Sequence, residues 1–373
     1  PPSTAEDLDF ATGEKHGRRD TVRDPMDDPV KFAVVGIGVI GKNHVRAVVE
    51  AEGADLAAVV DTDLERAQEV GEEYGVPAFG SVDDLVDGGV VNAATVGVPS
   101  GTHAKVGVSL AEAGIHVLCE KPIDVSLEAA DRLIGACEAN GVKLACVSQS
   151  RFEPDVRAAR EAVQSGRLGR MVLAQADTKW YRSQDYYDAG GWRGTLAQDG
   201  GGAFINQSIH AIDVLQWAMG PVERVCSFTA NIWHKIDSED TGVAIIQFRS
   251  GALGVVQGAT SLGKAQPKRL EFHGDAGTII LESDEAIVWD IQDGSTAPSA
   301  AGEREERKSA GKDSRDVSHL GHKKHVEDLV EAIRDGRSPS IAGPDARVPL
   351  ELILAIYESA RGGGSSIALP LES

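Results

Sequence analysis

From Lys31 onward the chain alternates short apolar runs with longer stretches of helical periodicity. Residues 31–35, 56–60, 90–94, 116–119 and 143–147 are compact runs of Val, Ala and Leu, the composition of strands buried on both faces. Between them, 44–52, 64–74, 104–113 and 127–140 carry apolar residues at helical spacing. Strand and helix taking turns in this way predicts parallel strands joined by right-handed crossovers. After residue 150 the rhythm changes. Helical stretches at 154–164 and 203–217 flank a strand at 171–179, and strands then follow without helices between them, at 222–233, 242–248, 252–259, 269–273, 278–281 and 286–289. Such a run predicts a largely antiparallel sheet, open on one face and suited to oligomer contact. Helices at 322–334 and 345–360 close the pattern.

These patterns divide the chain into a disordered extension (1–28), a first α/β domain (29–150), a second α/β domain (151–343) and a C-terminal helix and tail (344–373). The polar stretch 292–316 reads as a loop. Arg18-Arg19 has no apolar segment after it, so no export signal is expected.

Charge narrows the partners. The 58 acidic residues outnumber the 37 basic ones, and a net charge of −21 repels a phosphate backbone, so no nucleic-acid partner is expected. No window approaches the roughly 20 apolar residues of a membrane span, so no membrane partner is expected either. The acid surplus suits a salt-rich cytoplasm or an ordinary acidic enzyme. Cys119, Cys137, Cys146 and Cys226 form no CxxC and read as reduced cytoplasmic thiols.

Four motifs carry chemistry. The first is Gly36-Ile37-Gly38-Val39-Ile40-Gly41, between the first strand and a helix. Its glycines permit a tight turn, backbone approach to a pyrophosphate and close helix–strand contact, and the helix N-terminus favours the anion. Asp61 stands at the end of the second strand, where an acid binds the adenosine ribose hydroxyls and repels a 2′-phosphate, so NAD is favoured over NADP. Arg66 is read as too far along the next helix to reverse that. The second motif spans 95–103, at the carboxyl end of the strand 90–94. Thr95, Pro99, Ser100 and His103 are candidate cofactor contacts there; Ser100 or Thr102 is equally suited to capping the following helix. The third is Glu120-Lys121-Pro122 after the strand 116–119, which directs Lys121 into the crevice beside Glu120 and the cofactor. The fourth is Gly200-Gly201-Gly202 followed by Asn206, His210 and Asp213, a polar stripe of candidate substrate contacts on an otherwise apolar helix, with His210 a general acid/base. His319, His322 and His325 rotate around a helix rather than sharing one face, so no metal site is expected; a substrate contact by His319 or His322 is.

In this order the four motifs resemble the Gfo/Idh/MocA family (glucose–fructose oxidoreductase, inositol 2-dehydrogenase, rhizopine catabolism protein), from about Lys31 to the C-terminus. The resemblance implies an α/β fold: an N-terminal Rossmann doubly wound parallel sheet, then a C-terminal α/β domain whose large, mostly antiparallel open sheet makes homodimers or homotetramers. It implies that Lys121 and His210 are catalytic and that the Lys121–Pro122 peptide is cis. Inositol dehydrogenase-like members carry Asp one turn before the histidine; here Asn206 stands there, able to bind a sugar hydroxyl but not to relay a proton. The segment holding Tyr181, Arg182, Trp192 and Arg193 resembles members acting on nucleotide-sugar uronates, with aromatics to stack on a pyranose and arginines to bind carboxylate or phosphate.

The expected activity is NAD-dependent hydride transfer at a secondary hydroxyl or ketone of a cyclic sugar, polyol or sugar acid. The alternatives are a non-catalytic NAD- or sugar-sensing regulator, and a closed-cycle enzyme that retains NAD(H).

Overall fold

The computed structural model describes residues 28–301 and 318–371. The expected extension, apart from Asp28, and 302–316 of the polar stretch lie outside these residues. The first half builds β1 (Val30–Val35), α1 (Val39–Glu50), β2 (Ala54–Val60), α2 (Leu64–Tyr74), β3 (Ala78–Phe79), α3 (Val82–Gly88), β4 (Ala93–Val96), α4 (His103–Glu112), β5 (His116–Cys119), α5 (Leu127–Ala139) and β6 (Leu144–Cys146). Its strands are all parallel in the order β3-β2-β1-β4-β5-β6. Strand order reverses between β1 and β4, and the crevice for a ligand opens where their following loops diverge. Phe32, Ala33 and Val34 of β1 have no exposed surface, which is why that strand reads as an unbroken apolar run.

Asp63, Ser81 and Ser126 accept first-turn N–H groups of α2, α3 and α5, each cap contributing about 1 kcal/mol. By contrast α1 begins at Gly38 with no side-chain cap, so its first N–H groups remain available to a ligand. The strand expected at 90–94 forms at Ala93–Val96, because α3 runs to Gly88 and ends on Gly89 at φ +58°. That short helix and β3 leave too few residues for a periodic signal.

The second half contains α6 (Pro154–Gln164), β7 (Met171–Lys179), α7 (Gln184–Asp188), α8 (Ile209–Met219), β8 (Val222–Ala230), β9 (Thr241–Phe248), β10 (Leu253–Ala259), β11 (Arg269–Gly274), β12 (Gly277–Glu282), β13 (Glu285–Ile291), α9 (Leu320–Arg334), α10 (Gly343–Arg361) and β14 (Ile367–Ala368). Its sheet runs β13-β12-β11-β7-β10-β9-β8-β14, antiparallel except for β7 with β10. Ile212 and Leu215 of α8 and Ile353 and Ile356 of α10 join Ala174, Ile246, Phe248 and Val256 of the sheet in one core. The opposite face is open. By register, Leu173, Leu253, Ile245, Val243 and Phe228 share it, and all five are exposed.

Two departures from the sequence reading matter for the site. The helix expected at 203–217 is a π-turn, Ala203–Ser208, leading into α8, and π-turns gather at functional sites. Phe204 there sits over Gly242 and Gly258, where an added Cβ would fall 2.3 and 3.2 Å from its ring. Moreover α9, late in sequence, packs on the first sheet: Val326, Leu329 and Val330 share a core with Val30, Phe32 and Val48.

Candidate active site

A cleft of about 1410 Å³ runs from the β1–α1 turn to the π-turn and the second sheet. One small ligand fills roughly 300–1,000 Å³, so the volume suits a dinucleotide and a second molecule together. At the nucleotide end, Gly36 sits at φ +89° and a Cβ there would lie 2.8 Å from the Gly97 carbonyl. At Gly38 an added Cβ meets nothing within 4 Å, and at Gly41 it would lie 1.8 Å from the Gly36 oxygen. The three glycines therefore serve turn, open cradle and helix contact respectively, and with the uncapped α1 they fit a pyrophosphate.

Asp61 is buried at the rim of this cradle. Its carboxylate accepts from the N–H of Ile37 (2.7 Å) and of Asp63 (2.9 Å) and from Arg66 Nη2 (2.7 Å) and Nε (3.2 Å). Burial pushes its pKa up, and Arg66 with the two N–H donors outweighs that and holds it below the usual carboxylate range. Arg66, expected to be too far along its helix to bear on the cofactor choice, reaches the cleft: its side chain folds back from the first turn of α2, pairs with Asp61 and lines the cleft.

Val39, Ile40, Pro99, Ser100, His103, Glu120 and Lys121 line the cleft as expected. Gly41 lies beneath Gly36, and Thr95 is fully buried in β4, and neither lines the cleft. Thr102 makes no helix cap; its hydroxyl donates to the Pro99 oxygen (2.7 Å).

The chemical end centres on Lys121, at the cis Lys121–Pro122 peptide. Its Nζ donates to the main-chain oxygen of Asn206 (2.8 Å) and is 3.4 Å from Asn206 Oδ1. Burial lowers the Lys121 pKa; Glu120 and Asp199 oppose that, and Arg182 and Arg193 add to it. His210 also lines the cleft. Burial, with Lys121 and Lys268 nearby, holds its pKa well below the ordinary value, so it is a neutral imidazole near pH 7. Glu120 behind Lys121 receives His322 Nε2 (2.8 Å), His44 Nε2 (3.1 Å) and the N–H of Lys121 (3.0 Å). Burial pushes its pKa up, but the bonds from His322 and His44 outweigh that and hold it well below the usual range. These three side chains also lie close enough to share a metal ion. Metal on both Nε2 atoms would, however, move the protons to the Nδ1 atoms, which are buried without partners; the geometry suits a clamp on a carboxylate instead.

The substrate wall is formed by Arg182, Trp192 and Arg193 from the expected set, by Trp180 and Tyr186 among the aromatics of the same segment, and by Gln207, to which the sequence assigns no role. Arg182 is 6% exposed. Its Nη2 donates to Gln207 Oε1 (2.8 Å), its Nη1 to the Tyr181 carbonyl (3.1 Å), and its Nε has no partner. Tyr181 itself points away, bridging to Ser261 and approaching the Trp233 ring, because alternate residues leaving β7 face opposite sides. Asp213 is not in the wall of the cleft either. It is buried, and Arg151 (Nε, 2.8 Å) and the Ser148 hydroxyl occupy its carboxylate. His319 and His322 are not in the wall of the cleft: His319 pairs with Glu50 (2.7 Å), His322 with Glu120 (2.8 Å), and His325 accepts from the Ser148 N–H (2.9 Å).

Known proteins resemble this chain in sequence and fold. Residues 30–148 match the family described as oxidoreductases with an NAD-binding Rossmann fold, and 156–280 match the GFO/IDH/MocA C-terminal domain. The crystal structure of the WlbA dehydrogenase from Bordetella pertussis, in complex with NADH and UDP-GlcNAcA, is similar at 32% identity and a TM-score of 0.82, over 92% of this chain and 100% of that one. Myo-inositol 2-dehydrogenase of Thermotoga maritima is 26% identical over 88% of this chain and 96% of its own. D-xylose 1-dehydrogenase (NADP(+)) 2 of Haloferax volcanii is 28% identical over 90% and 98%.

Proposed function

The chain belongs to the Gfo/Idh/MocA family of NAD-dependent oxidoreductases acting on sugar and polyol hydroxyls, and from that premise we propose that its substrate is an anionic cyclic sugar, either a free sugar acid or a nucleotide-linked uronate. The observation that carries this reading is Arg182. A buried guanidinium on the cleft wall, with no carboxylate of the described residues bonded to it and one N–H without a partner among them, calls for an anion to complete it. That UDP-GlcNAcA is bound in the WlbA structure is in keeping with it.

In this reading the Gly36–Gly41 turn and the first N–H groups of α1 hold the cofactor pyrophosphate, and Asp61 with Arg66 holds the adenosine ribose. Bound NAD supplies the hydride acceptor. Arg182 fixes the anionic group of the sugar, and Trp180, Tyr186 and Trp192 offer faces for the ring. The neutral imidazole of His210 takes the proton of the reacting hydroxyl. Lys121 Nζ donates to that oxygen as negative charge builds on it. In the reducing direction His210 returns the proton.

The reading extends to assembly and setting. The exposed apolar ladder of the second sheet supports a homo-oligomer formed face to face. Four free thiols, three of them buried, support a cytoplasmic location, and the acid surplus supports work in concentrated salt. The deciding experiment follows NADH absorbance with NAD and a panel of neutral hexoses, inositols, free sugar acids and UDP-GlcNAcA. Turnover confined to the acidic compounds is the expected result. Turnover of neutral sugars alone would remove the assignment of Arg182.

A further inference from the structure

Asp199 is buried, lies outside the wall of the cleft and takes no part in the chemistry above. Yet it ends the hydrogen-bond chain that reaches both Lys121 and Arg182. Its Oδ2 accepts from the Gly194 N–H (2.8 Å) and its Oδ1 from Asn206 Nδ2 (2.5 Å). Asn206 Oδ1 faces Lys121 Nζ (3.4 Å) and accepts from Gln207 Nε2 (3.0 Å). Gln207 Nε2 also donates to Tyr186 Oη (3.1 Å), while its Oε1 accepts from Arg182 Nη2 (2.8 Å).

Charged groups that act in one sense only fix both amides. A carboxylate only accepts; an ammonium and a guanidinium only donate. Asp199 therefore draws the NH2 of Asn206 and turns its oxygen to Lys121, and Arg182 draws the oxygen of Gln207 and turns its NH2 to Asn206. Reversing Asn206 would set oxygen against the Asp199 carboxylate and NH2 against the Lys121 ammonium. We propose that Asp199 is a positioning residue: its carboxylate sets the polarity of the Asn206–Gln207 pair and so holds Lys121, at the reacting oxygen, in one fixed relation to Arg182, at the substrate anion. This rests on the roles assigned to Lys121 and Arg182 above.

A pH dependence follows. Burial pushes the Asp199 carboxyl up to about 6, against the Gly194 N–H, the Asn206 amide, Lys121 and Arg193. Tyr187 and Tyr357 also face it, and burial raises both phenols, so they stay neutral in this range. As pH falls through about 6, a proton on Asp199 gives the carboxyl a donor, and the amide polarity is no longer dictated. Burial also pushes Glu239, which accepts from the Gly202 and Phe204 N–H groups at the start of the π-turn, up to about 7, so the limb is assigned to Asp199 by its loss in the Asp199 variant.

The test compares the wild type with Asp199→Asn, which keeps the shape and removes the charge. Kinetics use NAD with UDP-GlcNAcA, or whichever sugar of the panel is oxidised. In parallel, Lys121 is titrated by NMR after reductive methylation with carbon-13, its resonance assigned through Lys121→Arg. The expected result is a kcat lower by about a hundredfold, an unchanged KM for NAD, loss of the acid limb near pH 6, and a Lys121 titration moved to lower pH. A variant that keeps both the wild-type limb and the wild-type Lys121 titration overturns the proposal. Should Asp199→Asn fail to fold, Asp199→Asn with Asn206→Asp returns one carboxylate to the pair. Recovered turnover supports the proposal, and a folded, inactive double variant overturns it. Should neither fold, the wild-type Lys121 resonance decides: an inflection near pH 6 supports the assignment, and its absence overturns it. If no sugar is oxidised, the substrate reading fails, while the Lys121 titration still judges Asp199.

Discussion

Lys121 Nζ lies 2.8 Å from the main-chain oxygen of Asn206, joining the end of β5 to the π-turn that leads to His210. The lysine is thereby aimed at the substrate side of the cleft rather than at the nucleotide cradle. Lys121→Ala is expected to lower kcat by about 10³-fold, within the span of general acid–base effects, and to leave NAD binding near the wild-type value. Steady-state rates and a fluorescence titration with NAD check the two halves. Near-normal turnover would remove Lys121 from the chemistry.

The Asp61–Arg66 pair governs the choice between cofactors. While Asp61 is present, its carboxylate repels a 2′-phosphate and occupies Arg66. Asp61→Ser frees the guanidinium to take that phosphate. The ratio of kcat/KM for NAD to that for NADP is expected to fall by about a hundredfold, equivalent to about 2.7 kcal/mol. An unchanged ratio would mean that Arg66 does not reach the ribose.

Arg182→Gln removes the buried cation from the substrate wall. Charge-assisted hydrogen bonds of this kind are worth about 1.5–3 kcal/mol, so KM for an acidic sugar is expected to rise roughly ten- to a hundredfold. KM for NAD should hold. An equal loss with acidic and neutral sugars would show that Arg182 only braces Gln207.

On the open face of the second sheet, Ile245 stands at the centre of the exposed ladder, opposite Val255 of β10 and Cys226 of β8. Ile245→Lys sets a charge in that patch and is expected to shift the enzyme to monomers in sedimentation, with the monomer fold intact. A wild type that sediments as a monomer would exclude this face as an assembly surface.

Much of this fold was legible because its elements obey a single period. The ranges 64–74, 154–164 and 171–179 match their elements to the residue, and each has either helical apolar spacing or a dense apolar run. Within the site, Gly36, Gly38, Asp61, Lys121 and His210 were legible because strand ends and a glycine turn determine where those side chains go. Of the consecutive Trp180, Tyr181 and Arg182, only the first and third face the cleft, because the alternation at the end of β7 turns Tyr181 outward. Asp213 was read as substrate-facing because sequence does not show that Arg151 reaches its carboxylate. Asp199, Gln207 and Lys268 carry no local signal, since their importance comes from partners distant along the chain.

The position of His322 has a consequence for synthesis. This residue of α9 clamps Glu120, and its neighbours Val326, Leu329 and Val330 complete the core around β1. A nascent chain that has emerged only through β6 therefore has its parallel sheet unfinished on one side and the carboxylate behind Lys121 short of a donor. The residues of the nucleotide turn are thus all made early, while the core beneath them and the clamp on Glu120 are completed only when α9 has been translated.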